Sequence, residues 1–436
     1  MTTGLLTILI LILFIVLLSG GIPVAFSLGI SGFVGLWAHL GFAKAISMLG
    51  TLTYRSAASF SYAVIPLFVV MGMLVMHTGM SKQIYDCLAK WFNRVPGGLG
   101  VATVWSCTLF GMLNGSAAVT SSVFARATGP ELLRRGYHPD TTYGMIASAG
   151  CIGQFIPPSI VIIIYGGITD DSIGKLLMAA ISPGIAMAIT FSLVLVIIAL
   201  TRPDLIPKNT EHYTMWERIK SLKDLVPVLI VGGLIVVGLS TGTYSTTEAG
   251  AMGALVFVLY AFINKVPIKQ MLLAFKDSAS TSCMMFIIMG CGSVFAKFVT
   301  MTGIGNVIQS AVSSIGMGAI SFMLISFVIY LILGCFIDPT SILIITLPLF
   351  IPIVDALDIN RIHFAMFVIM ALHVGGITPP VGLTVFFTKA AAGDKATLQG
   401  IFKGAVPFLI SFVILTIIYI CVPTLSTFIP DLLFAK

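Results

Sequence analysis

The chain has 436 residues, of which 58% are hydrophobic and only 9% are charged. A soluble globular domain carries about 25% charged residues, so this composition excludes that class and indicates a polytopic membrane protein. The formal net charge of +7 lies mostly in short loops between apolar segments, which argues against a nucleic-acid-binding surface.

The apolar segments form two series of five spans, each long enough to cross a bilayer. The first series comprises residues 3–19, 22–39, 60–77, 142–168 and 176–201. The second series comprises residues 225–242, 246–264, 279–298, 362–388 and 404–428. Two further apolar stretches, 96–135 and 317–357, bend in the middle, and we interpret each as a re-entrant hairpin.

The predicted fold class is therefore an all-α polytopic membrane protein with two inverted repeats, each of five spans and one re-entrant hairpin. Residues 1–201 form the first repeat, with hairpin 96–135 and a broken helix at 142–168. Residues 225–436 form the second repeat, with hairpin 317–357 and a broken helix at 362–388. Residues 202–224 form a connector, in which Tyr213–Lys223 is predicted to be a short helix on the membrane surface.

The number of spans and the basic residues together predict the topology. Five spans per repeat invert the second repeat relative to the first, so both termini lie on the same side of the membrane. Sixteen Lys and Arg residues fall in the loops of one side and five in those of the other. The positive-inside rule places the connector in the cytoplasm and both termini outside it. Hairpins that cross the membrane twice would give the same loop sides, so the symmetry and not the charge favours re-entrant hairpins.

Two proline pairs interrupt corresponding spans. Gly153 and Pro157–Pro158 in the first half recur 222 residues later as Gly375 and Pro379–Pro380. Proline removes a backbone donor and breaks a helix, and glycine gives the freed backbone room to turn. Non-helical backbone at membrane depth is tolerated only where it is buried in protein or lines a polar cavity. Matched breaks in two halves therefore predict the binding site of a secondary transporter.

The turns of the two hairpins carry small polar residues that predict sodium sites. Sodium is bound by hydroxyl and carbonyl oxygens, whereas a proton relay needs a chain of intramembrane Asp, Glu or His, of which the sequence has few. The first predicted sodium site comprises Asn114, Gly115, Ser116, Gly150, Ile152 and Gln154. The second comprises Gly334, Asp338, Thr340, Val374, Gly375 and Thr378. The alternative is that the glycines only permit close helix packing.

An organic anion is the predicted substrate. Helices that resume after the proline pairs present positive dipole ends, which favour anions. The expected substrate contacts are Ser116, Thr120, Ser121, Ser159 and Asp338. Asp338 is itself negative, so it fits a binding site for an anion only if it binds sodium or accepts a hydrogen bond from a substrate hydroxyl or amine. The alternative is that Asp338 only caps a helix. Lys297, near the outer end of its span, is expected to reach the membrane interface.

Several segments, in their order and spacing, resemble the large membrane subunit of tripartite ATP-independent periplasmic (TRAP) transporters. They are Gly21–Gly29, Ile65–Gly72, Gly111–Ser122, Arg135–Pro139, Gly153–Ser159, Thr247–Gly253 and Thr378–Leu383. The resemblance implies an elevator-type transporter of the bacterial inner membrane, in which hairpins and broken helices slide against a scaffold. It also implies sodium as the coupling ion and a carboxylate or sulfonate substrate.

The same resemblance implies two separate partner proteins. One is a small four-helix membrane subunit, and the other is a soluble periplasmic substrate-binding protein that delivers the anion. The chain departs from the family pattern at Gln154, where proline is frequent, and at His373, where several members carry an acidic residue.

Other classes of function are less compatible with the sequence. No GxSxG, HExxH or phosphate-binding Gly-Lys-Ser motif occurs, and the six histidines are scattered, so we expect neither an enzyme nor an ATP-driven pump. The seven cysteines show no CxxC or His-paired spacing, so we expect neither a disulfide framework nor a zinc site. Sodium is the only metal expected, and no organic cofactor is expected. A stand-alone sodium–dicarboxylate symporter without a binding protein is the main alternative. A channel is a weaker one, since opposed hairpins favour alternating access.

Overall fold

A computed structural model describes residues 3–208, 211 and 213–434, and every regular element among them is a helix. The helices before the connector are α1 (Thr3–Ser19), α2 (Val24–Leu40), α3 (Phe42–Ala58), α4 (Val64–His77), α5 (Met80–Phe92), α6 (Gly98–Asn114), α7 (Ala117–Ala127), α8 (Gly129–Arg134), α9 (Pro139–Ala149), α10 (Ile160–Thr169) and α11 (Ile173–Thr201). The connector contains α12 (Met215–Ser221). The helices after it are α13 (Val226–Ser240), α14 (Thr246–Ile263), α15 (Ile268–Thr302), α16 (Ile304–Ser314), α17 (Ala319–Phe336), α18 (Pro339–Ala356), α19 (Arg361–Gly376), α20 (Leu383–Ala392), α21 (Leu398–Cys421) and α22 (Thr424–Phe434).

The helices are those of a membrane protein. Among the described residues, six are long and apolar enough to cross a bilayer, or up to eight if two bent helix pairs each count as one span. Large apolar side chains also point outward, as on α1, where Leu5, Ile8, Ile12 and Ile15 are each at least half exposed. Such a surface is stable against lipid tails and not against water. The all-helical membrane fold predicted from composition is therefore confirmed.

Helix boundaries in the two halves follow the offset seen in the sequence. α6 ends at Asn114 and α17 at Phe336, 222 residues apart, and α9 and α19 begin at Pro139 and Arg361 with the same separation. The halves differ in the region before each hairpin. α3 and α4 are separated by a short 3-10 turn at Phe60–Tyr62, whereas α15 runs unbroken for 35 residues, about 50 Å of rise.

Glycines allow several helix pairs to approach closely. A Cβ added at Gly32 of α2 would lie 2.6 Å from the backbone nitrogen of Phe295 on α15. A Cβ at Gly404 of α21 would lie 1.9 Å from the carbonyl oxygen of Asp140 on α9. Small residues at helix contacts are the usual way in which membrane helices pack. Both contacts join the two halves of the chain, as does the contact between α7 and α20.

The connector is tied to the first half by polar contacts. Arg135, just after α8, donates to the Glu211 carboxylate at 2.5 Å, and the Tyr213 hydroxyl donates to the other oxygen at 2.5 Å. These hydrogen bonds lower the pKa of the Glu211 carboxyl. Trp91 of α5 also donates its indole N–H to the carbonyl oxygen of Arg218 on α12, at 3.2 Å. The short helix expected within Tyr213–Lys223 corresponds to α12.

Candidate substrate and sodium site

The helices stop at both proline pairs. α9 ends at Ala149, a 3-10 turn covers Ile152–Gln154, and α10 resumes at Ile160 after Pro157 and Pro158. In the second half, α19 ends at Gly376 and α20 resumes at Leu383 after Pro379 and Pro380. The Pro157–Pro158 and Pro379–Pro380 peptide bonds are both cis. Each helix break therefore leaves a stretch of extended or turning backbone inside the protein.

Paired glycines hold each break against the neighbouring hairpin. A Cβ added at Gly153 would lie 2.2 Å from the Cα of Gly111 on α6. In the second half, a Cβ at Gly375 would lie 2.7 Å from the Cα of Gly334 on α17. Only glycine fits at such distances. These glycines therefore do permit close helix packing, as the alternative interpretation expected. The same close packing holds each broken helix against a hairpin turn.

The first hairpin turns between α6 and α7. Gly115 ends α6 with φ of +63°, a conformation that glycine adopts readily. The Asn114 side-chain oxygen accepts from the Ser116 backbone N–H at 2.8 Å, and its nitrogen donates to the Thr120 hydroxyl at 3.0 Å. Ser116 caps α7 by accepting from the Val119 N–H at 3.4 Å. The turn is therefore a hydrogen-bonded unit whose carbonyl and hydroxyl oxygens lie close together.

The second hairpin turns between α17 and α18 at Asp338. One carboxylate oxygen of Asp338 accepts from the Ser341 backbone N–H at 3.0 Å, and the other accepts from the Ser341 hydroxyl at 2.7 Å. Asp338 is thus the N-cap of α18, which was the alternative to a role in binding. Capping uses one lone pair on each oxygen, so the same carboxylate retains acceptor capacity for a cation.

A side-chain bridge links the two broken helices. The Gln154 amide donates to the carbonyl oxygen of Gly115 at 2.8 Å, and its oxygen contacts Nε2 of His373 on α19. The other ring nitrogen of His373 is 2.6 Å from the carbonyl oxygen of Ile369. Gln154 and His373 are 7% and 2% exposed, so this bridge is shielded from solvent. It connects the first hairpin turn to the second broken helix.

Both hairpin turns and both broken helices line one cavity of about 420 Å³. Its remaining wall comes from the start of α2 and from α15, through Val24, Met284, Met285 and Ile288. The predicted site residues on the lining are Gly115, Ser116, Gln154, Gly334, Asp338 and Thr340. A cavity of this size accommodates a small organic molecule.

The structure separates the other predicted residues from this cavity. Thr120, Ser121 and Ser159 are fully buried, and Ser159 caps α10 through the Ile162 N–H at 3.5 Å. The predicted sodium-site residues that do not line the cavity are Asn114, Gly150, Ile152, Val374, Gly375 and Thr378.

Three of these residues already accept hydrogen bonds at their carbonyls. Those of Ile152, Val374 and Gly375 accept from backbone N–H groups at 3.0–3.3 Å. The carbonyls of Ile152 and Gly375 keep a second lone pair for a cation, whereas that of Val374 also accepts from the Thr378 hydroxyl at 2.6 Å.

Sequence reasoning missed some residues of the cavity. His373 was noted as one of the few ionisable residues of the core and as a departure from the family pattern, but was assigned to no site. Thr384 was not considered, although it lines the cavity and its hydroxyl donates to the carbonyl oxygen of Gly376 at 2.7 Å. The available signals were the position of His373 inside an apolar span and its place one residue before Val374. Among the described residues, no three His, Cys, Asp or Glu side chains cluster as a transition-metal site would require.

Comparison with known families decides the class of protein. Residues 11–425 match the family described as the tripartite ATP-independent periplasmic transporter, DctM component. The chain belongs to this family. This TRAP large permease is therefore a multi-pass membrane subunit of a transporter and not an enzyme, and members of its family work with further components of a tripartite system.

Two relatives of this TRAP large permease are named for different substrates. The chain is 29% identical over 411 residues to the C4-dicarboxylate TRAP transporter large permease protein DctM of Pseudomonas aeruginosa, covering 93% of this chain and 94% of that protein. It is 27% identical over 425 residues to the ectoine TRAP transporter large permease protein TeaC of Halomonas elongata, covering 95% and 96%. Because the two sequence identities are so similar, they do not indicate which of the two substrates this chain transports.

A solved structure supports the fold independently. The YdaH transporter of Alcanivorax borkumensis superposes with a TM-score of 0.59 at 11% identity, covering 87% of this chain and 88% of that one. At so low an identity the similarity concerns the fold alone, which is that of a membrane transporter.

Proposed function

We propose that this TRAP large permease imports a small organic anion together with sodium, by an elevator mechanism, after a periplasmic binding protein has delivered the substrate. The observation that carries the proposal is the single cavity to which both hairpin turns and both broken helices contribute. One wall of this cavity belongs to α2 and α15, which pack against each other through Gly32. We take the hairpins and broken helices as the moving unit and α2 and α15 as part of the scaffold.

The anion is proposed to bind at the turn of the first hairpin. Ser116 offers its hydroxyl beside the start of α7, and the N-terminal dipole ends of α7 and α18 both lie at the cavity. Thr384, Gln154 and His373 add polar groups to the same lining. A C4-dicarboxylate is our first candidate, because the dipole ends at the cavity favour an anion and one of the relatives is named for that substrate. Thr120, Ser121 and Ser159 act behind this surface as parts of the fold.

Two sodium ions are proposed to hold the hairpins in the transport-competent arrangement. Asn114, Gly115 and Ser116 bring together an amide oxygen, a backbone carbonyl and a hydroxyl at one turn. Asp338 and Thr340 bring a carboxylate and a hydroxyl to the other. Oxygens of these kinds are suitable ligands for a hard cation. The carbonyls of the two broken helices would complete each site.

The proposed topology follows the two repeats, residues 1–201 and 225–436, with the connector 202–224 in the cytoplasm and both termini outside the bacterial inner membrane. The partners are a small four-helix membrane subunit and a soluble periplasmic binding protein. The equal offset of helix boundaries in the two halves supports the repeats, and the uneven distribution of basic residues supports the orientation.

Uptake of radiolabelled succinate into proteoliposomes tests the proposal. The liposomes contain this chain with its small partner, and uptake is measured with and without an inward sodium gradient and with and without the binding protein. Uptake that requires both supports the proposal. Uptake that requires sodium alone would instead establish a stand-alone symporter, and uptake indifferent to sodium would contradict the two sodium sites.

A further inference from the structure

A second cavity, of about 660 Å³, lies beside the first along the same scaffold helix. It is lined by α3, by the end of α10, by α18 and by about the last four turns of α15. On α15, Met284, Met285 and Ile288 line the first cavity, and Met289, Gly292, Ser293, Ala296, Lys297 and Thr300 line the second. These positions recur every three or four residues, so they lie on one stripe of the helix. The two cavities therefore follow each other along one face of α15.

The two stretches of this stripe differ in charge. The part that lines the first cavity carries only apolar side chains, whereas the part that lines the second carries the ammonium group of Lys297. Lys297 is partly buried, and no described residue forms an ion pair or hydrogen bond with it. An unpaired charge within a membrane span is costly and points to a functional role.

The other charged groups at the second cavity leave Lys297 available. Arg361 forms two 2.8 Å hydrogen bonds to the Asp355 carboxylate and lies 3.7 Å from Asp171, so its charge is compensated. Asp170 is exposed at the end of α10 and is not within ion-pair distance of Lys297. In the proposed mechanism α10 moves outward with the hairpins, which carries Asp170 away while the hairpin turns approach Lys297.

We propose that Lys297 is the counter-charge for the anionic substrate when the moving unit faces outward. Met285 and Lys297 are 12 residues apart, about 18 Å of helical rise, so an outward movement of this order would bring the first cavity level with Lys297. Facing inward, the same substrate meets Met284, Met285 and Ile288 and has no scaffold cation. The anion is then held more tightly on the outer side and released on the inner side. This inference rests on the proposed function.

The size of the effect follows from the chemistry of a charged contact. An ammonium–carboxylate hydrogen bond that is protected from bulk water changes affinity by about tenfold to a hundredfold. Because Lys297 would act in only one state, its loss should change the half-saturating concentration on one side of the membrane alone. A residue that merely stabilises the fold would change both sides or neither.

The test compares the two sides in proteoliposomes that contain the complete complex, with succinate as the probe. The outer side is measured as the concentration of succinate-loaded binding protein that half-saturates sodium-driven uptake. The inner side is measured as the internal succinate concentration that half-saturates counterflow, again through the binding protein, so both values report the same orientation of the complex. The variants are Lys297→Gln, Lys297→Arg and the control Lys175→Gln, an exposed lysine at the start of α11 that lines neither cavity.

We expect Lys297→Gln to raise the outer half-saturating concentration about tenfold and to leave the inner one unchanged. Lys297→Arg should restore the outer value to within about twofold, because it retains the positive charge. Lys175→Gln should match the wild type on both sides. Equal changes on both sides, or none, in Lys297→Gln would overturn the role of Lys297. A wild-type complex without sodium-driven succinate uptake would instead overturn the proposed dicarboxylate transport itself.

Discussion

Replacing Gly153 by alanine should separate the first hairpin from its broken helix. The added Cβ would lie 2.2 Å from the Cα of Gly111 and 2.6 Å from its carbonyl carbon, which are backbone atoms that cannot rotate away. Reaching an ordinary contact of about 3.4 Å requires α6 and the 3-10 turn to move apart by about 1.2 Å, the difference between 3.4 and 2.2 Å. The φ of Gly153 lies outside the left-handed region, so the cost is steric alone.

Overpacking of this kind costs about 1–3 kcal/mol, and loss of glycine's freedom in the unfolded chain offsets about 0.4–1 kcal/mol of it. We therefore expect Gly153→Ala to be destabilised by about 1–2 kcal/mol, with a larger proportional loss of transport because the cavity lining moves. The assay is thermal unfolding of the purified complex, together with sodium-driven uptake. Gly375→Ala, with a 2.7 Å approach to Gly334, should behave alike in the second half.

The control for stability is Gly376→Ala, since a Cβ there would have no atom within 4 Å. For transport the control is Gly233→Ala on α13, which likewise meets nothing within 4 Å and lies outside the cavity lining. If Gly153→Ala unfolds at the same temperature as Gly376→Ala and transports like Gly233→Ala, the hairpin and broken helix are not held by this glycine pair.

Three further predictions concern polar groups. Asp338→Asn should retain the cap on α18, because asparagine caps equally well, but should raise the sodium concentration for half-maximal uptake about tenfold; an unchanged sodium dependence would remove Asp338 from the second site. Gln154→Ala removes the side-chain partner of the Gly115 carbonyl and of Nε2 of His373, so it should cost about 1–3 kcal/mol in thermal unfolding and reduce uptake. Glu211→Gln should lower the unfolding temperature slightly at pH 7. Hydrogen bonds from Arg135 and Tyr213 lower the pKa of Glu211 in the folded protein, so they stabilise the fold above the ordinary pKa of a glutamate. This stabilisation is lost as the pH falls through the lowered pKa of the folded state. The difference in unfolding temperature between variant and wild type should therefore vanish in acid.

The parts of the site that depend on local chemistry could be predicted from the sequence. A proline removes a backbone donor, and two adjacent prolines after a glycine interrupt a helix more strongly than one, so the positions of both breaks followed from Pro157–Pro158 and Pro379–Pro380. Single prolines, such as Pro183 in α11, lie inside continuous helices. A glycine among small polar residues in an apolar stretch likewise indicated the turn at Gly115. The alternation of long apolar runs with basic loops was enough to identify a membrane protein. These features need only a few neighbouring residues to be interpreted.

The parts that depend on distant contacts could not be predicted. The Gln154–His373 contact joins residues 219 positions apart, and the sequence around neither residue indicates which residue it contacts. The hydroxyls of Thr120 and Ser121 resemble substrate ligands in the sequence. In the structure they bond to the carbonyl oxygens of Ser116 and Ala118, one turn earlier. Only the tertiary arrangement decides which hydroxyl faces a cavity and which bonds to its own helix.

The two cavities along α15 also lay beyond the sequence. Nothing in the spacing of Met284, Met285 and Lys297 distinguishes a cavity wall from a surface that faces lipid. Lys297 was expected only to reach the membrane interface, and the structure shows that it also lies on the wall of a cavity. That placement required knowing where α3, α10 and α18 pack around it.

The most direct test of the account is the thermodynamic coupling between sodium and the anion. Proteoliposomes with the complete complex receive a fixed inward sodium gradient, with the membrane potential held at zero, and the opposing succinate gradient is varied until net flux reverses. Two sodium ions per succinate predict that a tenfold sodium gradient balances a succinate gradient of about a hundredfold. Reversal wherever the succinate concentrations are equal, whatever the sodium gradient, would contradict sodium coupling at the two hairpin turns.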